Sequence, residues 1–147
     1  MDVSPSDLGK VTEFILNAGI DPLIYMDDVP ALYLYESTIS DMRIPDHIKS
    51  IGEFAFRHCS SLTSVTIPNS VTRIGNYAFY YCTSLTRIEI PSRVTGIGMK
   101  AFAGCSSLIN INYGGTKRQW RSIHQENDVF FKTAVTEIKC IDGTIKL

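Results

Sequence analysis

The sequence has no excess of charge of either sign. It contains 14 Lys plus Arg and 15 Asp plus Glu, so the formal net charge is -1. Proteins that bind nucleic acid mainly through its phosphates carry a surplus of basic residues. The balance of charge therefore argues against a nucleic-acid partner.

Long apolar runs are also missing. No segment reaches the roughly 18 consecutive apolar residues that a membrane-spanning helix needs. The stretch from Met1 to Lys10 contains Asp2 and Asp7 and lacks the basic region and apolar core of a secretory signal. We therefore expect no membrane association and a cytoplasmic location. The alternative is an extracellular or cell-surface location, if the chain is excised from a longer precursor.

The chain has few histidines and no recognisable catalytic arrangement. His47, His58 and His124 occupy unrelated positions, and none is matched in sequence with a nucleophile. His58 and Cys59 are the only adjacent reactive pair, but we expect the cysteine to be buried and the histidine to face solvent. The sequence therefore predicts that the protein is not an enzyme. The rival hypothesis places an active site in the N-terminal part, around Asp27, Asp28, Tyr33, Tyr35 and Glu36.

Metal-binding patterns are lacking as well. The CxxC pairing of zinc sites does not occur, although three thiolates joined by His58 remain an alternative. Asp21, Asp27 and Asp28 lack the spacing and glycine of a calcium loop. We therefore expect no metal and no cofactor.

What the sequence does contain is a repeat in three consecutive copies of equal length. The copies begin at Ile44, Ile67 and Ile90 and read IPDHIKSIGEFAFRHCSSLTSVT, IPNSVTRIGNYAFYYCTSLTRIE and IPSRVTGIGMKAFAGCSSLININ. Each copy carries Ile-Pro, Ile-Gly, Ala-Phe, Cys and Ser-Leu at the same places. A repeat of this length is typical of a solenoid, whose units stack because none can bury its apolar face alone.

The pattern inside one copy predicts the path of each coil. Alternation of apolar and polar residues up to Ile67 indicates a short strand, and residues 71–74 form a second extended piece. Residues 76–82 fit one or two helical turns. We expect Gly75 and its equivalents to adopt positive φ where the coil bends.

The cysteines follow the repeat. Cys59, Cys82 and Cys105 recur once per copy, so stacking predicts a buried column of reduced thiols.

The segments outside the copies are expected to close the array. A helix that begins near Ser4 would cap the first coil, or alternatively bind a partner, and residues 21–43 form a degenerate half-repeat. Trp120 and Ile123 would pack on the inner face of a C-terminal helix. We expect one structural domain, with an N-terminal part (1–43), three repeats (44–112) and a C-terminal cap (113–147).

The pattern IPxxVxxIGxxAFxxCxSLxxIxIP resembles the BspA-type leucine-rich repeat. The segment after Asn112, with Trp120 and a last strand in the terminal residues 138–143, resembles the ending common in that family. The resemblance implies an α/β solenoid: a short right-handed leucine-rich repeat array with parallel strands, an N-terminal helical cap and a C-terminal helix/strand cap. Family members are mostly extracellular or surface-attached and are linked with adhesion, while short copies could act inside a cell, including as phage-encoded proteins.

Two surfaces are candidate binding sites. On the main sheet we expect two outward columns, which are Asp41, Ser64, Arg87 and Asn110, and Arg43, Thr66, Glu89 and Asn112. On the other side of the coils, Tyr77, Tyr80 and Tyr81 cluster, with Arg57 and His58 at equivalent positions of the preceding copy. Tyrosine is a favoured interface anchor because it buries a large rigid area and keeps a polar tip.

These observations predict a non-enzymatic module that binds a protein through its solenoid surface. The partner would be a host or cellular factor of unknown identity, and the source a phage or a bacterium. The alternatives are a surface adhesion module of a longer secreted protein and a structural subunit that assembles with itself into a homo-oligomer.

Overall fold

The structure is a computed structural model that describes residues 40–44, 46 and 48–147. The helix predicted near Ser4 and most of the half-repeat lie outside the described residues. The same holds for His47, for the calcium alternative at Asp21, Asp27 and Asp28, and for the residues proposed for an N-terminal active site.

The described chain winds into about four stacked coils, and most coils contribute one strand to each of two sheets. In chain order the strands are β1 (Asp41–Arg43), β2 (Ser50–Ile51), β3 (Ser64–Thr66), β4 (Arg73–Ile74), β5 (Arg87–Ile90), β6 (Gly96–Ile97), β7 (Asn110–Tyr113), β8 (His124–Gln125), β9 (Glu137–Cys140) and β10 (Gly143–Lys146). The main sheet has the order β1-β3-β5-β7-β9-β10, and the second sheet has the order β2-β4-β6-β8. All described pairs are parallel except β9 with β10, which confirms the predicted parallel-strand solenoid.

The register of the main sheet follows the repeat. Met42 lies opposite Val65, and Ile88 lies opposite Ile111, and the members of each pair are one repeat apart in sequence. These side chains are buried. The residues that alternate with the buried ones along each strand are exposed or half-buried. The core therefore lies inside the coils, and alternate strand residues face outward.

The prediction of a short helix in each coil is wrong, because residues 76–82 form consecutive turns. Tyr77 and Tyr81 have φ of 55° and 58°, which no α-helix accommodates. The amide N–H groups alternate between two directions: that of Tyr80 donates to the Tyr77 carbonyl, while that of Phe79 donates to the Ala101 carbonyl of the next coil. These bonds make a third ladder, so the coils are bonded along three sides. The fold is a β-solenoid with little helix rather than an α/β array.

A fourth coil follows the three repeats. Phe56, Phe79, Phe102 and Phe130 stack in one column, with ring centroids 4.9, 5.2 and 5.7 Å apart in succession. The step in sequence from Phe102 to Phe130 is longer than one repeat. The additional chain includes the single helix of the described residues, α1 (Lys117–Ser122), which lies between β7 and β8.

Helix α1 is anchored through Trp120, as its spacing from Ile123 predicts. The indole is buried and packs edge-on against the Tyr113 ring at 5.2 Å and along the Phe130 ring at 6.4 Å. Thr116 caps the helix: its hydroxyl accepts from the Gln119 amide, and the Gln119 side chain accepts from the Thr116 amide.

The reason given for the recurring glycines is also wrong, because neither Gly75 nor Gly98 has a positive φ. Gly75 and Gly98 are required because the neighbouring coil leaves no room for a side chain. A Cβ on Gly75 would lie 2.8 to 2.9 Å from backbone atoms of residues 51–53, and one on Gly98 would lie 2.4 to 2.7 Å from Asn76 and Gly75. These glycines therefore let neighbouring coils approach closely.

The cysteine column is present and buried. Cys59, Cys82 and Cys105 have no measurable exposure. The Cys82 thiol donates to the Phe56 carbonyl at 3.0 Å, and the Cys105 thiol donates to the Phe79 carbonyl at 2.9 Å. Burial, and then the hydrogen bond with Cys105, raises the pKa of the Cys82 thiol well above its ordinary value.

We expect the column to resist alkylation in the native protein, because the reactive species is the thiolate and these thiols are shielded. Iodoacetamide under mildly alkaline conditions should modify half-buried Cys140 alone, and all four cysteines once the chain is denatured. Mass spectrometry of tryptic peptides gives the readout. Native labelling of Cys59, Cys82 or Cys105 at the denatured rate would contradict the buried column.

Candidate functional site

The column of turns carries three rows of equivalent side chains, which we call the turn face. Equivalence follows from the left-handed residues and from the hydrogen bonds between coils. The rows are Phe54, Tyr77, Lys100 and Asp128; Arg57, Tyr80, Ala103 and Phe131; and His58, Tyr81, Gly104 and Lys132.

The structure brings the three tyrosines into contact. The Tyr80 ring meets the Tyr81 ring at 4.6 Å and the Tyr77 ring at 5.2 Å, both edge-on. Tyr77 also stacks on Phe54 of the preceding coil, at 5.0 Å. All these rings are half-buried, so one face or edge of each is packed while the rest reaches solvent.

His58 joins this cluster rather than a catalytic pair. Its imidazole stacks on the Tyr81 ring at 5.5 Å and lies edge-on to the Tyr80 ring at 5.9 Å. The adjacent Cys59 side chain belongs to the buried core. The histidine is therefore half-buried by aromatic rings, where the sequence suggested a solvent-facing position.

Gly104 supports the Tyr81 ring. A Cβ on Gly104 would lie 2.7 to 2.9 Å from atoms of that ring, and its φ of 75° also favours glycine. Tyr81 thus lies between His58 and the Gly104 backbone. This packing on both faces fixes the ring orientation.

Phe131 extends the aromatic surface and was missed by the sequence analysis. It occupies the Tyr80 row in the fourth coil, and 51% of its surface is exposed. The longer step to that coil hides it from a search at the repeat spacing. The only signal in the sequence is the pair Phe130-Phe131, which occupies the positions of Phe102 and Ala103.

Cations border the aromatic rings at both ends of the turn face. The Arg57 guanidinium lies 5.4 Å from the Phe54 ring centroid, and the Lys132 ammonium lies 5.5 Å from the Phe131 ring centroid. Cations at this distance are attracted to the face of an aromatic ring. The turn face therefore combines exposed rings with a basic border.

The outward residues of the main sheet form the two predicted columns. In the first column, Asp41 lies opposite Ser64, and Arg87 lies opposite Asn110. In the second column, Arg43 lies opposite Thr66, and Glu89 lies between Thr66 and Asn112. The sheet register adds Lys139, which lies opposite Asn112. We call this surface the sheet face.

Polar contacts on the sheet face are made within the surface itself. The Ser64 hydroxyl donates to an Asp41 carboxylate oxygen at 2.7 Å. Arg87 and Glu89 form an ion pair at 3.8 Å with both side chains about two-thirds exposed, and Arg43 pairs with Asp46 at 3.6 Å. Exposed pairs of this kind contribute about 0 to 1 kcal/mol each.

Neither a metal-binding cluster nor a membrane span occurs within residues 40–44, 46 and 48–147. No three His, Cys, Asp or Glu side chains in that part of the chain come together in a way that could hold an ion. None of its helices has the length and apolar character to cross a membrane.

Comparison with known proteins agrees with the repeat pattern. The family model described as the BspA type leucine rich repeat region (6 copies) matches residues 28–146. No curated protein matches the chain.

Two solved structures share the fold. One is a leucine rich cell surface protein from Faecalibacterium prausnitzii A2-165, with 30% identity and a TM-score of 0.56 over 65% of this chain. The other is a leucine-rich repeat protein from Eubacterium ventriosum ATCC 27560, with 32% identity and a TM-score of 0.51 over 53% of this chain. The matches span 31% and 21% of those longer chains. On the extent of the family match, the chain belongs to the BspA type leucine rich repeat family.

Proposed function

We propose that the chain is a non-enzymatic module that binds a protein partner through the turn face. The observation that carries this proposal is the cluster of Tyr77, Tyr80 and Tyr81 together with exposed Phe131. Aromatic side chains are enriched among the residues that dominate binding energy at protein interfaces. Repeat proteins of this family use their extended surfaces for protein interaction, which supports the same class of function.

The turn face is rigid before any partner binds. Each turn is bonded along the chain and to the next coil, since the N–H groups of Tyr80 and Tyr81 donate to the carbonyls of Tyr77 and Ala103. Ring contacts at 4.6 to 5.9 Å then restrict the tyrosine side chains. A surface ordered in advance loses little conformational entropy on binding, so more of the contact energy appears as affinity.

The sheet face is the weaker candidate. Its residues are polar and charged, and Asp41, Arg87 and Glu89 already contact neighbours on the same surface. Exposed charges at an interface tune the rate and specificity of association more than its strength. We therefore assign the anchoring contacts to the turn face.

A second candidate function is a surface adhesion module within a longer secreted protein. The observation that favours it is the likeness to the leucine rich cell surface protein, of which the matched region is 31%. The alternative is a cytoplasmic module that acts on a host or cellular factor. The turn face would serve as the binding surface in either location.

The test is capture of partners with matched variants. Tyr80→Ala/Phe131→Ala removes one half-buried and one exposed ring and leaves Tyr81, which packs on Gly104, in place. Arg87→Ala/Glu89→Ala removes an exposed pair from the sheet face. We expect the turn-face variant to weaken partner binding by about 30-fold or more, and the sheet-face variant by less than about threefold.

Binding is measured by surface plasmon resonance with the purified partner, after circular dichroism confirms that both variants are folded. Loss only in the sheet-face variant would contradict the assignment. If the captured partner is a second copy of the chain, the turn face is a self-assembly surface, and the same variant should yield a monomer.

A further inference from the structure

Gly96 is a glycine that the fold does not require. It lies in β6 between Arg73 of β4 and His124 of β8, in a continuous row across the second sheet. Its φ is outside the positive region, and an added Cβ would meet only the Arg73 Cγ, at 3.9 Å. Gly75 and Gly98, by contrast, have no room for a Cβ.

Glycine weakens a strand because it has no side chain to pack and loses more conformational freedom than other residues. A strand glycine often marks a bulge, a tight bend, or a place where a ligand or another backbone approaches closely. Gly96 is regularly paired with Arg73 and His124, so no bulge accounts for it. At Gly96 the missing side chain leaves space between the Arg73 and His124 side chains. Among the described coils this space is particular to one, since the equivalent residues of the others are Ser50, Arg73 and His124.

The space is a groove of about 430 Å³. Its floor is formed by residues 96–98, and its lining is completed by Thr72, Arg73, Thr95, His124 and Glu126. The volume falls within the range of roughly 300 to 1,000 Å³ that small-molecule sites occupy. Two other surface cavities, near Tyr113, measure about 220 and 180 Å³ and are smaller than that range.

The groove carries opposite charges at its two sides. Arg73 lies on one side of β6, and Glu126 lies on the other side, shortly after His124 in the chain. Their α carbons are separated by two strand spacings, roughly 10 Å across the sheet, and by roughly 7 Å along the strands. Among the described residues, neither side chain forms an ion pair.

The remaining groups suit a small polar ligand. The Thr95 hydroxyl donates to the Thr72 carbonyl at 3.3 Å, which leaves its oxygen able to accept a hydrogen bond. The backbone of β6 is already paired on both sides, so a ligand must be held by side chains. The only aromatic ring among the residues that line the groove is the His124 imidazole, and no Phe, Tyr or Trp lines it to stack on a sugar ring.

We propose that this groove binds a small zwitterion of the dipeptide class. The ligand carboxylate would pair with the Arg73 guanidinium, and the ligand ammonium would pair with the Glu126 carboxylate. The charged ends of an extended dipeptide are roughly 7 Å apart, which is less than the separation of the Arg73 and Glu126 α carbons, so the ligand can lie between the two residues. This site is separate from the turn face, so it stands or falls independently of the proposed partner binding.

The experiment titrates the isotope-labelled full chain with glycylglycine and follows amide chemical shifts by NMR. The matched probes are N-acetyl-glycylglycine, which lacks the ammonium, and glycylglycine amide, which lacks the carboxylate. We expect a saturable shift at the Gly96 amide with glycylglycine, and at least tenfold weaker binding of each blocked probe. No saturable shift, or equal binding of the three probes, would overturn the proposal.

Substitutions in the groove test whether the ligand binds there. Gly96→Thr should abolish saturable binding, followed at the neighbouring Thr95 and Ile97 amides, while the melting temperature stays the same or rises, because threonine suits a strand and fills the groove. Arg73→Gln and Glu126→Gln should each weaken glycylglycine binding about tenfold, since each removes one of the two charges that the ligand pairs with. Unchanged binding in Gly96→Thr or in both glutamine variants would show that the ligand binds elsewhere.

Discussion

Phe79→Ala is expected to lower the free energy of unfolding by about 3 to 5 kcal/mol. The ring is fully buried and stacks between Phe56 at 4.9 Å and Phe102 at 5.2 Å, nearly parallel to both. Its removal leaves a cavity in the centre of the aromatic column, which the hydrogen-bonded coils on either side cannot close. Urea denaturation followed by circular dichroism measures the change.

Two matched variants sharpen this prediction. Cys82→Ser keeps a donor near the Phe56 carbonyl and should cost only about 1 kcal/mol. Phe130→Ala, at the half-buried end of the same column, should cost less than Phe79→Ala. Equal losses in Phe79→Ala and Phe130→Ala would contradict a column whose centre is packed more tightly than its end.

Trp120→Ala is expected to have an effect of similar size, about 3 to 5 kcal/mol. The indole is the buried residue of helix α1, and it contacts the Tyr113 and Phe130 rings. So short a helix is not stable by itself in water, and this packing holds it on the coils. Loss of the indole should therefore release α1 as well as lower the stability of the fourth coil.

Arg118→Ala is the control for the same helix. Its side chain is exposed, and the Ser122 hydroxyl bonds only to its backbone carbonyl. The change in free energy of unfolding should stay within about 0.5 kcal/mol. Hydrogen exchange of the Trp120 and Ile123 amides reports whether α1 remains folded. Native-like protection of these amides in Trp120→Ala would contradict the packing role of the indole.

The repeat predicted the core and the sheet well, because both depend on periodicity. A shift of one repeat places Met42 beside Val65 and superimposes the phenylalanine and cysteine columns, as the structure shows. Outward residues of the strands could be assigned for the same reason. Stacking of equal units fixes which residues meet, even without knowledge of local conformation.

Local conformation in the turns could not be predicted in the same way. Tyr77 and Tyr81 adopt positive φ, which is uncommon for residues other than Gly, Asn and Asp, so local preferences favoured a helix. The hydrogen bonds that compensate for this unfavourable backbone conformation come from the next coil, as in the bond from the Phe79 amide to the Ala101 carbonyl. Likewise, the need for glycine at Gly75 arises from a neighbouring coil and not from its own φ.

The candidate site was found in part. The tyrosine cluster lies within one repeat and is visible in the sequence, whereas Phe131 occupies the Tyr80 row after a step longer than a repeat, which a search at the repeat spacing does not find. The groove at Gly96 depends on a missing side chain between Arg73 and His124. Gly96 itself is visible when the copies are aligned, because Ser50 and Arg73 hold its position in the first two. Its place beside His124 is not visible, because the last step is longer than a repeat.

The central claim, that the turn face binds the partner, is tested most directly by hydroxyl-radical footprinting of the complex. Aromatic side chains react readily, and contact with a protein shields them. The account predicts that partner binding lowers oxidation of Tyr80, Tyr81 and Phe131, while exposed Ile141 and Leu147 react as in the unbound chain. Unchanged oxidation of Tyr80 and Phe131 in the complex would contradict it.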